Sequence, residues 1–167
     1  SDVLFDMNSR YDVPGYGYQI AMGETALAES WQSRDYLSHN HCMLGHLYSW
    51  LFSGIGGVSQ ESGSTAYKRI VIDPQVVGDL RDARVSFRSP YGLIRSEWKD
   101  SPDEFVQTIE IPANATARIC LPATDPAKVT ESGKPVSGRK DMAVESGTDG
   151  RIELHVGSGV YRIAVEK

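Results

Sequence analysis

The feature that constrains this chain most is a change of hydrophobic period near Ser64. Ahead of it, apolar residues recur at helical spacing. Met43, Leu44, Leu47, Trp50, Leu51 and Ile55 form a stripe of the i, i+3, i+4, i+7 kind. Beyond it the period falls to two: Ala83, Val85 and Phe87 alternate with Arg84, Ser86 and Arg88, and Ile152, Leu154 and Val156 alternate with polar residues. A stripe of the first kind buries one side of a helix, and alternation of the second kind buries one face of a strand. The chain is therefore expected to be an α+β arrangement, with a short helical segment over residues 1–63 followed by an antiparallel β-sandwich over residues 64–167.

Turn chemistry punctuates the second part at Asp73-Pro74, Ser89-Pro90-Tyr91-Gly92, Pro112-Ala113-Asn114, Thr148-Asp149-Gly150 and Gly157-Ser158-Gly159. Between these turns lie about seven or eight short strands at hairpin spacing, as an antiparallel sandwich requires. The run from Ala123 to Gly138, rich in Pro, Lys, Ser and Gly, reads as a loop with a short strand near Val129. Asn114-Ala115-Thr116 has the form of a glycosylation sequon, but its place in a tight hairpin turn favours a turn role.

In the helical part, Ser38 and Asn40 are N-cap candidates for the apolar helix, and Gly54, Gly56 and Gly57 end it. Trp50 falls on the stripe and is expected in the core. Two or three helices without helical partners cannot bury an apolar girdle, so they either pack on the sandwich or belong to a larger helical domain.

Composition excludes several roles. A formal net charge of −5 with scattered Lys and Arg repels a phosphate backbone, so nucleic acid is not an expected partner. The longest apolar run, Cys42 to Val58, is broken by His46, Ser49, Ser53 and glycines, and reads as a buried helix rather than a membrane span. No leader is visible at Ser1. Cys42 and Cys120 lie far apart without Cys-x-x-Cys spacing, so free thiols are expected, and neither a zinc site nor any other metal.

Between Gly23 and Trp31 the chain reads Gly-Glu-Thr-Ala-Leu-Ala-Glu-Ser-Trp, followed by Ser38-His39-Asn40-His41 at the start of the apolar helix. This pair of motifs, in this order, resembles glycoside hydrolase family 78, the inverting α-L-rhamnosidases. There a Gly-Ala-Thr-Thr-Leu-Trp-Glu-x-Trp segment precedes an Asn-His dipeptide opening the last helix of an (α/α)6 barrel. The resemblance continues through Tyr67-Lys68-Arg69, Ile72-Asp73-Pro74-Gln75, Ser89-Pro90-Tyr91-Gly92, Ser96-Glu97-Trp98 and Ile111-Pro112-Ala113-Asn114-Ala115-Thr116. In the family these lie in the C-terminal β-sandwich, whose final hairpin Gly157-Ser158-Gly159-Val160-Tyr161 resembles.

The resemblance implies that residues 1–63 are the last helices of a catalytic barrel and that residues 64–167 are its terminal sandwich. It places Glu29 on the general base, and Trp31 and His41 on substrate-binding positions. It also implies a carbohydrate substrate carrying terminal α-linked rhamnose, no cofactor, and a whole protein in the periplasm or outside the cell. An inverting glycosidase pairs its base with an acid roughly 6.5–9.5 Å away. The family's acid lies on a barrel segment absent here, so the missing N-terminal part of the same polypeptide is an expected partner.

Two positions depart from the family pattern: Glu24 replaces a small residue and Ala28 replaces Trp. Glu24 thus becomes a rival to Glu29 for the base role. Trp31 and Trp98 could each be core or exposed aromatics, and Tyr16 and Tyr18 are candidates for a pocket mouth. The competing reading is a non-catalytic sandwich that braces a neighbouring domain or binds carbohydrate. Its few aromatics fall mostly at inward positions, which argues for a brace.

Overall fold

The computed structural model describes residues Ser1–Lys167. They divide into two compact units, Ser1–Leu51 with Val77–Asp79, and Phe52–Val76 with Leu80–Lys167. The division falls ahead of the change of period at Ser64 because Val58–Gln60 is already a strand, one too short for alternation to register.

The first unit holds α1 (Asp2–Ser9), α2 (Tyr16–Ala21) and a helical run that opens as a 3-10 turn, Cys42–His46, and continues as one α-helical turn, α3 (Leu47–Trp50). The helical period that the sequence suggests ahead of Ser64 is interrupted. Gly23, at φ +85°, donates to the Ile20 carbonyl at 3.0 Å and ends α2 in the left-handed conformation that glycine adopts freely. From Met22 to His41 the chain then makes turns and bends.

The N-cap of the next run is His41 rather than Ser38 or Asn40. The Ser38 hydroxyl instead accepts the Asn40 N–H at 3.2 Å, a local bond of the kind that competes with helix formation. The run is not a uniform α-helix either, because it passes into a wide π-type turn, Leu51–Ile55. Three windings of different pitch cannot hold a 3.6-residue stripe on one face. Met43 and Leu51 accordingly stand exposed, and Trp50 is half-buried, donating its indole N–H to the Ser1 hydroxyl at 3.0 Å, rather than core.

The second unit is a sandwich of two sheets built from eleven strands, more than the seven or eight that turn spacing suggests, because several are only two to four residues long. They are β1 (Val58–Gln60), β2 (Arg69–Ile72), β3 (Asp82–Ser89), β4 (Gly92–Asp100), β5 (Glu104–Ile111), β6 (Thr116–Cys120), β7 (Val129–Glu131), β8 (Lys134–Pro135), β9 (Ala143–Ser146), β10 (Ile152–Val156) and β11 (Gly159–Glu166). One sheet has the order β1-β2-β6-β10-β9 and the other β3-β4-β5-β11-β7-β8. All neighbours run antiparallel except β2 and β6.

Ser89–Gly92 and Thr148–Gly150 close hairpins, joining β3 to β4 and β9 to β10. Pro112–Asn114 and Gly157–Gly159 do something else. Each carries the chain from one sheet to the other, so the hairpins expected there are inter-sheet crossings. Asn114 supplies the turn, at φ +62°. Within the Ala123–Gly138 stretch the short strand expected near Val129 is β7. Arg139 ties this region down by binding Glu131 at 2.9 Å and Asp141.

Alternation does its expected work in the core. Ile152, Leu154 and Val156 are buried on β10, and Ile94 and Trp98 are buried on β4, with Phe105 and Ile109 on β5. Trp98 is 1% exposed, stacks on Phe105 at 6.1 Å, and donates its indole N–H to the Ile55 carbonyl at 2.7 Å. Phe87 differs. Its strand, β3, is the edge of its sheet, and Phe87 is 37% exposed beside Phe52 and Tyr67. Cys42 and Cys120 are both free.

Gly57 governs the entry to β1. Its φ is +73°, and a Cβ there would collide with the backbone of Asp73 and Pro74. Gly57→Ala is expected to destabilise the sandwich by about 1–3 kcal/mol, read as a lower denaturant midpoint with an unchanged slope. An unchanged midpoint would show that the close approach is relaxed at no cost.

Candidate active site

The two motifs that the sequence singles out meet in the first unit through backbone hydrogen bonds between irregular segments. The His41 N–H donates to the Leu27 carbonyl at 2.8 Å, and the Glu29 N–H donates to the Ser38 carbonyl at 2.7 Å. Residues 27–29 and 38–41 therefore lie side by side, running in opposite directions. Leu27 also packs toward Gly45, 3.5 Å from where a Cβ would stand, so the start of the helical run seats on the same loop.

Glu29 is exposed, and its Oε2 accepts the Ser38 N–H at 3.1 Å. Backbone and side chain of Glu29 thus both close on Ser38, which fixes the direction of the carboxylate without burying it. Trp31 is half-buried and meets Tyr16 edge to face, with ring centroids 4.8 Å apart. Tyr16 is anchored in turn by a hydroxyl bond to the Leu44 carbonyl. Burial of that hydroxyl raises its pKa, so it stays a neutral donor at ordinary pH. His41 is half-buried, and its Nδ1 is buried without a hydrogen-bond partner. An imidazole nitrogen left both buried and unpaired is uncommon in a folded chain.

Glu24, the rival carboxylate, is more enclosed than Glu29: its side chain is 13% exposed. Its Oε2 binds His39 Nδ1 at 2.7 Å, and its N–H is fixed on the Gln19 carbonyl at 3.0 Å. The hydrogen bond that Glu24 accepts from His39, aided by the charges of Glu24 and Asp35 and by the Arg34 carbonyl, raises the pKa of His39 against a smaller opposing effect of burial. Tyr16, Gln19, Glu24, Thr25 and Leu27 line a shallow surface depression that does not include Glu29. No group of three or more His, Cys, Asp or Glu side chains is placed to hold a metal ion.

Two residues of this cluster gain their parts only from the geometry. Gln19 is 3% exposed and donates its amide to the Ser30 carbonyl at 3.0 Å, tying α2 to the segment that carries Glu29. His39 sits inside the second motif, but nothing in its spacing from Glu24 suggests a pair, because the chain between them follows no regular period.

Comparison with known proteins assigns both parts of the chain. Residues 1–55 match the bacterial alpha-L-rhamnosidase 6 hairpin glycosidase domain, and residues 57–135 match the bacterial alpha-L-rhamnosidase C-terminal domain. An alpha-L-rhamnosidase of Streptomyces avermitilis is 29% identical over 99% of this chain and 16% of its own length. One from Formosa agariphila is 23% identical over the whole chain and 18% of its own length. The crystal structure of the Streptomyces avermitilis enzyme with L-rhamnose superimposes with a TM-score of 0.85 at 28% identity, covering 98% of this chain and 16% of that one. The Dictyoglumus thermophilum alpha-L-rhamnosidase gives the same TM-score and identity over 99% of this chain and 19% of that one. The chain thus spans less than a fifth of the relatives it matches. By both of its parts, the chain belongs to the bacterial alpha-L-rhamnosidase family of glycoside hydrolases.

Proposed function

We propose that the whole protein containing this chain is an inverting α-L-rhamnosidase-like glycoside hydrolase, removing terminal α-L-rhamnosyl residues from glycans with Glu29 as general base. The observation that carries this reading is the pairing of residues 27–29 with 38–41, which puts Glu29 and His41 on adjoining segments. A water activated by Glu29 attacks the anomeric carbon, its proton passes to the carboxylate, and the glycosidic bond breaks. A general acid outside this chain protonates the leaving oxygen. His41 contacts the sugar, and Trp31 offers an apolar face to the ring's C–H surface. The reaction needs neither metal nor cofactor.

The sandwich has the part of a brace. Trp98 and Phe105, its largest buried rings, are each 1% exposed, so they cannot serve as a sugar-stacking platform.

Single displacement inverts the anomeric centre. When the whole protein hydrolyses p-nitrophenyl α-L-rhamnoside in an NMR tube, the β-anomer of rhamnose is expected first, with the α-anomer appearing only as mutarotation proceeds. Initial α-anomer would point to a double displacement and remove the base role from Glu29. Absence of any release would leave the brace as this chain's remaining role.

A further inference from the structure

Glu24 stands where the family pattern has a small residue, and it does not point its carboxylate into open solvent. It binds His39, the residue next to Ser38, and Ser38 is the residue whose N–H and carbonyl hold Glu29. The links run in series: the Gln19 carbonyl holds the Glu24 N–H, Glu24 Oε2 holds His39 Nδ1, and Ser38 holds Glu29 at both its backbone and its side chain. Residues 38–40 contain no regular element that could hold this backbone by itself.

Taking Glu29 as the general base, we propose that Glu24 and His39 are positioning residues for it: their ion pair fastens the 38–39 backbone so that the Ser38 N–H aims the Glu29 carboxylate. Neither residue touches the reacting atoms. The pair acts on orientation, and displacements on the ångström scale at a catalytic group are costly in rate.

The pair also carries a pH dependence whose sign follows from its members. His39 faces Glu24, with Asp35 and the Arg34 carbonyl adding in the same direction, and all of these favour the protonated ring. The ion pair is therefore complete below the ordinary histidine range and is lost as pH rises through the raised pKa of His39. The fastening should fade over that same interval.

The test uses the whole protein with p-nitrophenyl α-L-rhamnoside and compares wild type with Glu24→Gln, His39→Gln, the double variant and Glu29→Ala. Each single variant is expected to lower kcat about tenfold with KM unchanged on the acid side, and the double variant to be no worse than either. The ratio of wild-type to variant kcat should fall toward one as pH rises through the titration of His39. A general acid elsewhere titrates in every variant and cancels from that ratio.

A ratio that does not change with pH, or losses that multiply in the double variant, would overturn the positioning role. So would a Glu24→Gln variant as inactive as Glu29→Ala, since Glu24 would then be a reacting group. Retained activity in Glu29→Ala is a separate failure, of the base assignment itself, whatever the Glu24 variants do. The unsubstituted protein supplies an arm independent of any folding defect. His39 is 40% exposed, and at 1 M salt the screening length is about 3 Å, so kcat on the acid side should drop toward the level of the variants. A kcat there that is insensitive to salt would count against the pair.

Discussion

Glu29→Ala in the whole protein is expected to lower kcat on an aryl α-L-rhamnoside by about 10²–10⁴-fold, the range that a positioned general base contributes. KM should change little, because in the proposed mechanism the carboxylate acts on the attacking water and not on the sugar. The fold should survive: Glu29 is exposed, and its side chain makes one hydrogen bond, to a backbone N–H that water can satisfy. Glu29→Gln is the sharper variant. It keeps an oxygen to accept the Ser38 N–H while removing the basicity, and it should be nearly as inactive as the alanine. Activity within a few-fold of wild type in either variant would move the base elsewhere. Loss in alanine alone would reduce Glu29 to an orienting role.

Trp98→Ala is expected to destabilise the sandwich by about 3–5 kcal/mol, the cost of replacing a fully buried large aromatic by a methyl group. Two effects combine here. The cavity deprives Phe105 of its stacked neighbour, and the Ile55 carbonyl loses the indole N–H that satisfies it. Trp98→Phe restores much of the volume but not the donor, so the difference between the two variants separates packing from hydrogen bonding. Denaturant unfolding followed by far-ultraviolet circular dichroism reads both. A shift under 1 kcal/mol for the alanine variant would mean that the ring is not the centre of the core.

The sandwich was legible in the sequence where a strand has neighbours on both sides. Ile152, Leu154 and Val156 lie on β10, between β6 and β9, and their alternation alone puts them in the core. The same pattern on β3 overstates the burial of Phe87, because alternation reports which face a residue occupies and not whether the sheet continues past it. The helical stripe misleads for a related reason: it assumes one pitch, and the run from Cys42 to Ile55 uses three. The candidate site residues Glu29, Trp31 and His41 carry a motif and could be proposed from the family resemblance. The clamp on Ser38 and the Glu24–His39 pair could not, since both arise where irregular backbone folds back on itself and leaves no periodic trace.

The strand order of the six-stranded sheet has a bearing on how the chain comes to be folded. β11, the last of the eleven strands, is not at an edge: it lies between β5 and β7, paired along its length with the first and over three residues with the second. Until it arrives, β3, β4 and β5 form one ribbon and β7 and β8 another, with no backbone ladder between them. Before β11 is synthesised the facing edges of β5 and β7 lack their partner, and contacts between residues far apart in sequence must form to close the sheet. Such a nascent chain depends on speed of closure, or on a chaperone, to keep those edges from pairing with a neighbour.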